Sequence, residues 1–116
     1  MKIWIDGSLT RTCIYPEGGF PCVVPFSGTT NQAEYEAMLR AVEYIEDQTD
    51  QQEFLILSDS QLLVRQLNGQ YAIKNAELER RATEIWGKLT DLRRQGKSIS
   101  IEWLSREENK AGVVLG

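Results

Sequence analysis

Phe54-Leu55-Ile56-Leu57-Ser58-Asp59-Ser60 is the stretch on which the fold turns. A short, continuous apolar run without alternation is the pattern of a strand covered on both faces. Ser58-Asp59-Ser60 then supplies the small polar side chains that open helices, and Leu62, Leu63 and Leu67 follow at helical spacing until Asn68-Gly69 stops them. A strand covered on both faces needs helices beside it, and the flanking sequence provides them. Upstream, Met38, Ala41, Val42 and Ile45 keep helical spacing, with Glu36, Arg40, Glu43 and Glu46 on the wet side. Asn31 followed three residues later by Glu34 reads as the start of that helix, and the polar run Asp47 to Gln52 as its end. Downstream, Asn75 caps a helix whose Leu78, Ala82, Ile85, Leu89 and Leu92 form one apolar stripe, and Gly96 ends it.

The outer parts of the chain read as strands. Lys2-Ile3-Trp4-Ile5, Thr12-Cys13-Ile14-Tyr15 and Phe20 to Phe26 are β-rich and separated by Gly/Pro turns, as in an antiparallel meander. Ile99-Ser100-Ile101-Glu102-Trp103-Leu104 alternates as a last strand, and Ser105 to Gly116 is a tail with room for a short helix. The order β-β-β-α-β-α-α-β predicts an α/β fold, a mixed sheet with helices packed on it, in one domain spanning residues 1–116. A tight turn at Glu17-Gly18 would set Cys13 opposite Cys22, where two reduced, half-buried thiols are expected rather than a disulfide.

Composition narrows the chemistry. The chain has 116 residues, no histidine and two cysteines. That excludes Ser-His-Asp and Cys-His nucleophiles, His-ligated zinc or haem, and zinc held by three or four thiolates. Carboxylates, hydroxyls, amides and basic side chains remain. A net charge of −4, from 13 Lys plus Arg against 17 Asp plus Glu, argues against coating nucleic acid through bulk charge but leaves room for a local basic patch. No signal peptide or membrane-spanning run is evident. A cytoplasmic monomer that contacts no membrane is the expectation.

Carboxylates fall where a sheet edge would gather them. Asp6 closes the first apolar strand, Asp59 closes the run at 54–57, and Glu34 lies on the first turn of a helix. Were the two strands neighbours, these groups would converge, and they would repel unless hard cations neutralised them. Two Mg²⁺ ions about 4 Å apart can clamp the attacking and leaving oxygens of a phosphodiester displacement. At an effective dielectric near 20 such ions repel by roughly 17 kcal/mol, so several negative groups are required. Each residue also has a simpler reading: Glu34 completes a capping box with Asn31, Asp59 caps a helix, and Asp6-Gly7 marks a turn.

Four segments in order resemble type 1 ribonuclease H. Ile3-Trp4-Ile5-Asp6-Gly7-Ser8 resembles that family's opening strand, and Thr29-Thr30-Asn31-Gln32-Ala33-Glu34-Tyr35-Glu36-Ala37 its TNxAEYxA helix start. Leu57-Ser58-Asp59-Ser60-Gln61-Leu62 is similar to its SDSQL motif, extended by Gln66 to Gly69, Tyr71 and Lys74; Trp103 to Asn109 is similar to its last strand and REEN segment. The resemblance implies hydrolysis of the RNA strand of an RNA–DNA hybrid at a two-ion Mg²⁺ site, with Mn²⁺ as a substitute. Asp6, Glu34 and Asp59 match three members of its Asp-Glu-Asp-Asp set. Asn31 and Gln61 match positions that read RNA 2′-hydroxyls and bases, and Thr29 a contact to DNA phosphate. Arg65 and Lys74 follow the SDSQL segment and are expected to touch substrate, whereas Trp86 is expected at the rim of the core.

The chain departs from the family in three places. The fourth carboxylate belongs to an N-x-x-A-D-x-L pattern, and this chain reads Asn109-Lys110-Ala111-Gly112-Val113-Val114-Leu115. Ungapped alignment puts Val113 at the Asp position; keeping the Ala puts Gly112 there. The family's mobile His is absent, and no basic protrusion fits between Gly69 and Asn75, as in the smaller, bacterial or archaeal-like members. Glu107 and Glu108 are the only later carboxylates that could stand in. Two other readings stay open: a weakened or inactive hybrid- or RNA-binding module on the same fold, and a junction resolvase or integrase-like core.

Overall fold

The computed structural model describes residues 1–116. In chain order the elements are β1 (Lys2–Gly7), β2 (Arg11–Pro16), β3 (Cys22–Pro25), α1 (Thr30–Glu46), β4 (Glu53–Ser58), α2 (Gln61–Leu67), α3 (Ala76–Arg94), β5 (Ser98–Trp103), a 3₁₀ turn (Arg106–Glu108) and α4 (Lys110–Leu115). The sheet runs β3-β2-β1-β4-β5. β1, β2 and β3 pair antiparallel, while β4 lies parallel to both β1 and β5. This is the mixed α/β sheet that the element order predicts.

Alternation along the strands splits the core in two. Ile3, Ile5, Phe54, Ile56, Ile99 and Ile101 face α1, α2 and α3 in a cluster of 21 buried residues. Trp4, Cys13 and Leu57 face the other way, in a cluster of five completed by Ala111 and Leu115 of α4. The apolar run in β4 is therefore covered on both faces, but unequally. Arg11 Nη2 donates to Leu115 O (2.7 Å), holding α4 on the small face. Trp86 is a rim residue whose indole N–H donates to Leu67 O at 2.9 Å, tying α3 to the end of α2.

Several local details differ from the sequence reading. The cap of α1 is Thr29, not Asn31: Thr29 Oγ1 accepts from the Gln32 N–H (3.1 Å) and the Thr29 N–H donates to Gln32 Oε1 (3.0 Å). The capping box is Thr29-x-x-Gln32, so Glu34 has no capping duty. Ser60, not Asp59, caps α2, its Oγ accepting from the Leu63 N–H at 3.1 Å. Asn75 caps α3 as expected, accepting from Leu78 at 3.0 Å. β3 is shorter than residues 20–26. Its register sets Cys22 opposite Ile14 and Val23 opposite Cys13, so the two thiols lie on opposite faces. Both are free; Cys13 is buried, Cys22 exposed, and neither is half-buried. Burial pushes the Cys13 thiol up to about 11.

The contact that seats α1 is a backbone approach at Gly7. A Cβ there would lie 2.5 Å from the carbonyl carbon of Ala33 and 2.6 Å from the Glu34 nitrogen. Only a residue without a side chain lets the first turn of α1 rest on the end of β1. Gly7→Ala must push the helix from the sheet and is expected to destabilise the fold by about 3 kcal/mol, measured by denaturant unfolding.

Candidate metal and nucleic-acid site

The pairing of β1 with β4 sets Ile5 opposite Ser58. One residue further along each strand stand Asp6 and Asp59, and the Gly7 contact brings Glu34 in from α1. Asp6, Glu34 and Asp59 each offer a carboxylate oxygen, and these oxygens lie within 4.8 Å of one another. Released from capping, Glu34 and Asp59 have no local structural task that would explain their position.

Their environments differ. Glu34 is only 6% exposed, and its Oε2 is buried without a hydrogen-bond partner. Burial first, then the charges of Asp6 and Asp59, push the Glu34 carboxyl up to about 9, while the Gly7 N–H opposes the shift. Asp6 is also raised, by burial and then by Asp59; the Gly7 N–H, a hydrogen bond with the Glu34 carboxyl and the nearby Arg106 act the other way. Asp59 is held by neighbours: Asn109 Nδ2 donates to its Oδ2 (3.0 Å), and the Trp103 indole N–H donates to its backbone oxygen (3.1 Å). A buried carboxylate oxygen with no donor, inside a group of like charges, fits a hard divalent cation with oxygen ligands.

Asp6 and Glu34 open into a groove of about 710 Å³ that Thr30, Arg106, Gly112 and Val113 also line. A Cβ on Gly112 would stand 3.5 Å from Asp6 Oδ2 and 3.7 Å from Asp59 Oδ2, whereas Val113 is 72% exposed. Both positions that alignment leaves for the fourth carboxylate line the groove, and at Gly112 a side chain would start against Asp6 and Asp59. Glu107 and Glu108 do not join it; both are exposed on the 3₁₀ turn, where Glu108 Oε1 accepts from Ser105 Oγ at 2.9 Å.

The expected substrate contacts divide. Thr29 and Asn31 are exposed at the start of α1 and Gln61 at the start of α2, flanking the carboxylates on either side. Gln61 and Arg65 line a smaller cleft with Gln70 and Trp103. The Arg65 guanidinium donates to Tyr71 Oη (2.9 Å) and lies over its ring, while Lys74 is exposed in the loop before α3. Sequence reasoning missed Thr30, Arg106 and the clamp by Asn109. All three lie inside quoted motifs, but nothing in their spacing separates them from neighbours that point elsewhere.

The raised carboxyls make a pH prediction for the protein in a metal chelator. Between the ordinary glutamate value and about 9, folded Glu34 holds a proton that the unfolded chain has lost, and Asp6 adds in the same direction. The folded state binds more protons there, so stability falls as pH rises. Thermal unfolding in chelator should move to lower temperature from pH 5 to pH 9, and Glu34→Gln should flatten that slope.

The chain is similar to known proteins in both sequence pattern and structure. A model of the reverse transcriptase-like family matches residues 18–115. RNase H1 from the halophilic archaeon Halobacterium salinarum NRC-1 superposes with a TM-score of 0.78 at 24% identity, over 98% of this chain and 92% of that one. LC11-RNase H1, isolated from compost by a metagenomic approach, gives 0.77 at 26% identity over 98% and 90%. A structure of LC11-RNase H1 in complex with an RNA/DNA hybrid gives 0.70 at 26% identity over 94% and 88%. No curated protein matches the sequence. The chain belongs to the reverse transcriptase-like family, as a ribonuclease H domain.

Proposed function

We propose that the protein is an endoribonuclease that cleaves the RNA strand of RNA–DNA hybrids, using Mg²⁺ or, in its place, Mn²⁺. The observation that carries this reading is the convergence of Asp6, Glu34 and Asp59, with Glu34 Oε2 buried and unpartnered among them. Bound there, a divalent ion supplies an activated water and offsets charge on the phosphoryl oxygens. The likeness to an RNase H1 bound to an RNA/DNA hybrid supports the substrate class.

The chain's own residues contribute position and recognition. Asp6 and Asp59, at the ends of adjacent parallel strands, hold carboxylate oxygens within 4.8 Å of each other, and Glu34 closes the set from the helix. Asn31 and Gln61 present exposed amides, each able to donate and to accept, and so suit a 2′-hydroxyl that does both. Thr29 accepts at its hydroxyl oxygen from Gln32, which leaves the hydroxyl proton free for a phosphate. Arg65 and Lys74 are the basic groups assigned to the backbone beyond α2; Arg106, inside the groove, is positioned to meet a phosphate close to the carboxylates.

A second reading rests on Gly112. With glycine where a fourth carboxylate would stand, a hybrid-binding module without turnover is the alternative. A hybrid-cleavage assay in Mg²⁺ and in Mn²⁺ separates the two. We expect cleavage in both, stronger in Mn²⁺; intact hybrid binding without cleavage in either would favour the module. Asp59→Asn, which keeps shape but removes a charge, should lower cleavage by at least about 100-fold, beyond the usual effect of changes one shell further from a metal. Near wild-type cutting by that variant would sink this reading of the site. Replacing the ribonucleotides by deoxyribonucleotides should abolish cutting, because no 2′-hydroxyl remains. Equal cleavage of duplex DNA would instead point to a resolvase-like core.

A further inference from the structure

We propose that the cleft between the end of β5 and α2 holds one unpaired nucleobase from a single-stranded flank of the hybrid, so that the protein recognises the junction where base pairing stops. This rests on the hybrid substrate proposed above, and the experiment below separates the failure of either.

The cleft has a volume of about 270 Å³ and is lined by Gln61, Val64, Arg65, Gln70 and Trp103. It shares no lining residue with the carboxylate groove. Trp103 ends β5 and is 48% exposed, a large aromatic area to leave in water, while Val64 beside it is buried. The Trp103 indole N–H is taken by Asp59 O (3.1 Å), which holds the ring by one edge. With its only donor spent, the indole offers the cleft aromatic surface alone.

A turn assembles the polar side. Gly69, at φ +76°, bends the chain back after α2, and Arg65 O accepts from the N–H groups of Gln70 (2.8 Å) and Tyr71 (3.2 Å). Gln70 is thereby returned to Arg65. The Arg65 guanidinium donates to Tyr71 Oη (2.9 Å) and lies 5.2 Å from the centre of its ring, so it is oriented before any ligand arrives.

Aromatic surface, a held cation and amides that both donate and accept are complementary to a planar heterocycle with polar edges and an attached phosphate. Pockets for drug-sized ligands begin near about 300 Å³, so the cleft suits one nucleoside and not a base pair. Inside a helix a base has both faces stacked and its pairing edge occupied. Only an unpaired base can give a face to Trp103 and an edge to Gln70. The cleft is also continuous with the proposed path of the hybrid, since Gln61 belongs to both and Trp103 is bonded to the backbone of Asp59.

The test measures binding by fluorescence anisotropy in Ca²⁺, whose looser coordination disfavours the in-line chemistry of Mg²⁺. The probes are a short blunt RNA–DNA hybrid and the same hybrid with a single-stranded overhang at each strand end in turn. Each overhang is also made abasic, which keeps its phosphates and removes its bases. At one strand end, wild type should bind the base-bearing overhang at least about fivefold tighter than the abasic one, the scale of one base stacked on an aromatic side chain. Trp103→Leu and Gln70→Ala should each bring that ratio toward one, with circular dichroism checking that both are folded. The ratio is taken within one protein, so a general loss of hybrid binding does not mimic it. Free adenosine monophosphate should bind far more weakly than the overhanging hybrid, because the duplex delivers its own flank. Equal affinity for the two would make this a mononucleotide site and overturn the inference. Equal binding of base-bearing and abasic overhangs at every end would overturn it and leave the nuclease reading standing, and that comparison needs no variant to fold. A ratio that survives in both folded variants would put the base elsewhere and overturn it too. No binding of any hybrid by wild type would bring down the proposed function itself, and the inference with it.

Discussion

The parallel pairing of β1 with β4 is the constraint to which the groove, the charge cluster and the placement of the helices are all subject. Parallel neighbours end on the same side of a sheet, so residues that follow paired positions emerge together. With Ile5 opposite Ser58, Asp6 and Asp59 leave the sheet side by side. A slip of one residue would send the apolar side chains of one strand to the wrong face, separating Ile3 and Ile5 from the α1–α3 core. The core thus fixes the register, and the register fixes the carboxylates. The placement works against stability, since like charges are held together beside apolar walls. Burial of the large cluster has to outweigh that repulsion in the free protein.

Gly7 extends the same logic to the third carboxylate. The first turn of α1 lies so close to β1 that backbone meets backbone, and Glu34 arrives buried rather than solvated. That burial is what separates it from Asp6. Both are raised, with burial the larger cause at each, and Glu34 is pushed up to about 9. A cation bound at this residue would displace a proton, making the two events linked.

The elements were legible because apolar periodicity reports which residues face a core. The stripe from Leu78 to Leu92 and the cap at Asn75 could be read directly, as could the unbroken run in β4. What periodicity does not report is register or tertiary approach. Cys13 and Cys22 could be placed on one hairpin, yet a one-residue difference in pairing puts them on opposite faces. Asn31 and Thr29 are both good caps, and the choice fell to the residue with Gln32 three positions on. Gly112 and Val113 could not be distinguished by alignment because only the path of α4 over β1 decides which of them meets the carboxylates. Arg106 faces the groove for the same reason, through the 3₁₀ turn that redirects the chain after β5.

The order of the strands also has a kinetic consequence. β1, β2 and β3 are joined by short turns, and their pairing closes small loops. The contact between β1 and β4 joins residues separated by the whole of the meander and α1. Closing that long loop comes with an entropic penalty before any favourable contact is made, which slows folding. The carboxylate cluster lies on the far side of that step, because Asp6 and Asp59 are neighbours only once the central strands have met. A cation in solution then has nothing to bind on the early hairpin. A cation held by the cluster would act on the assembled sheet, slowing its unfolding rather than hastening its formation.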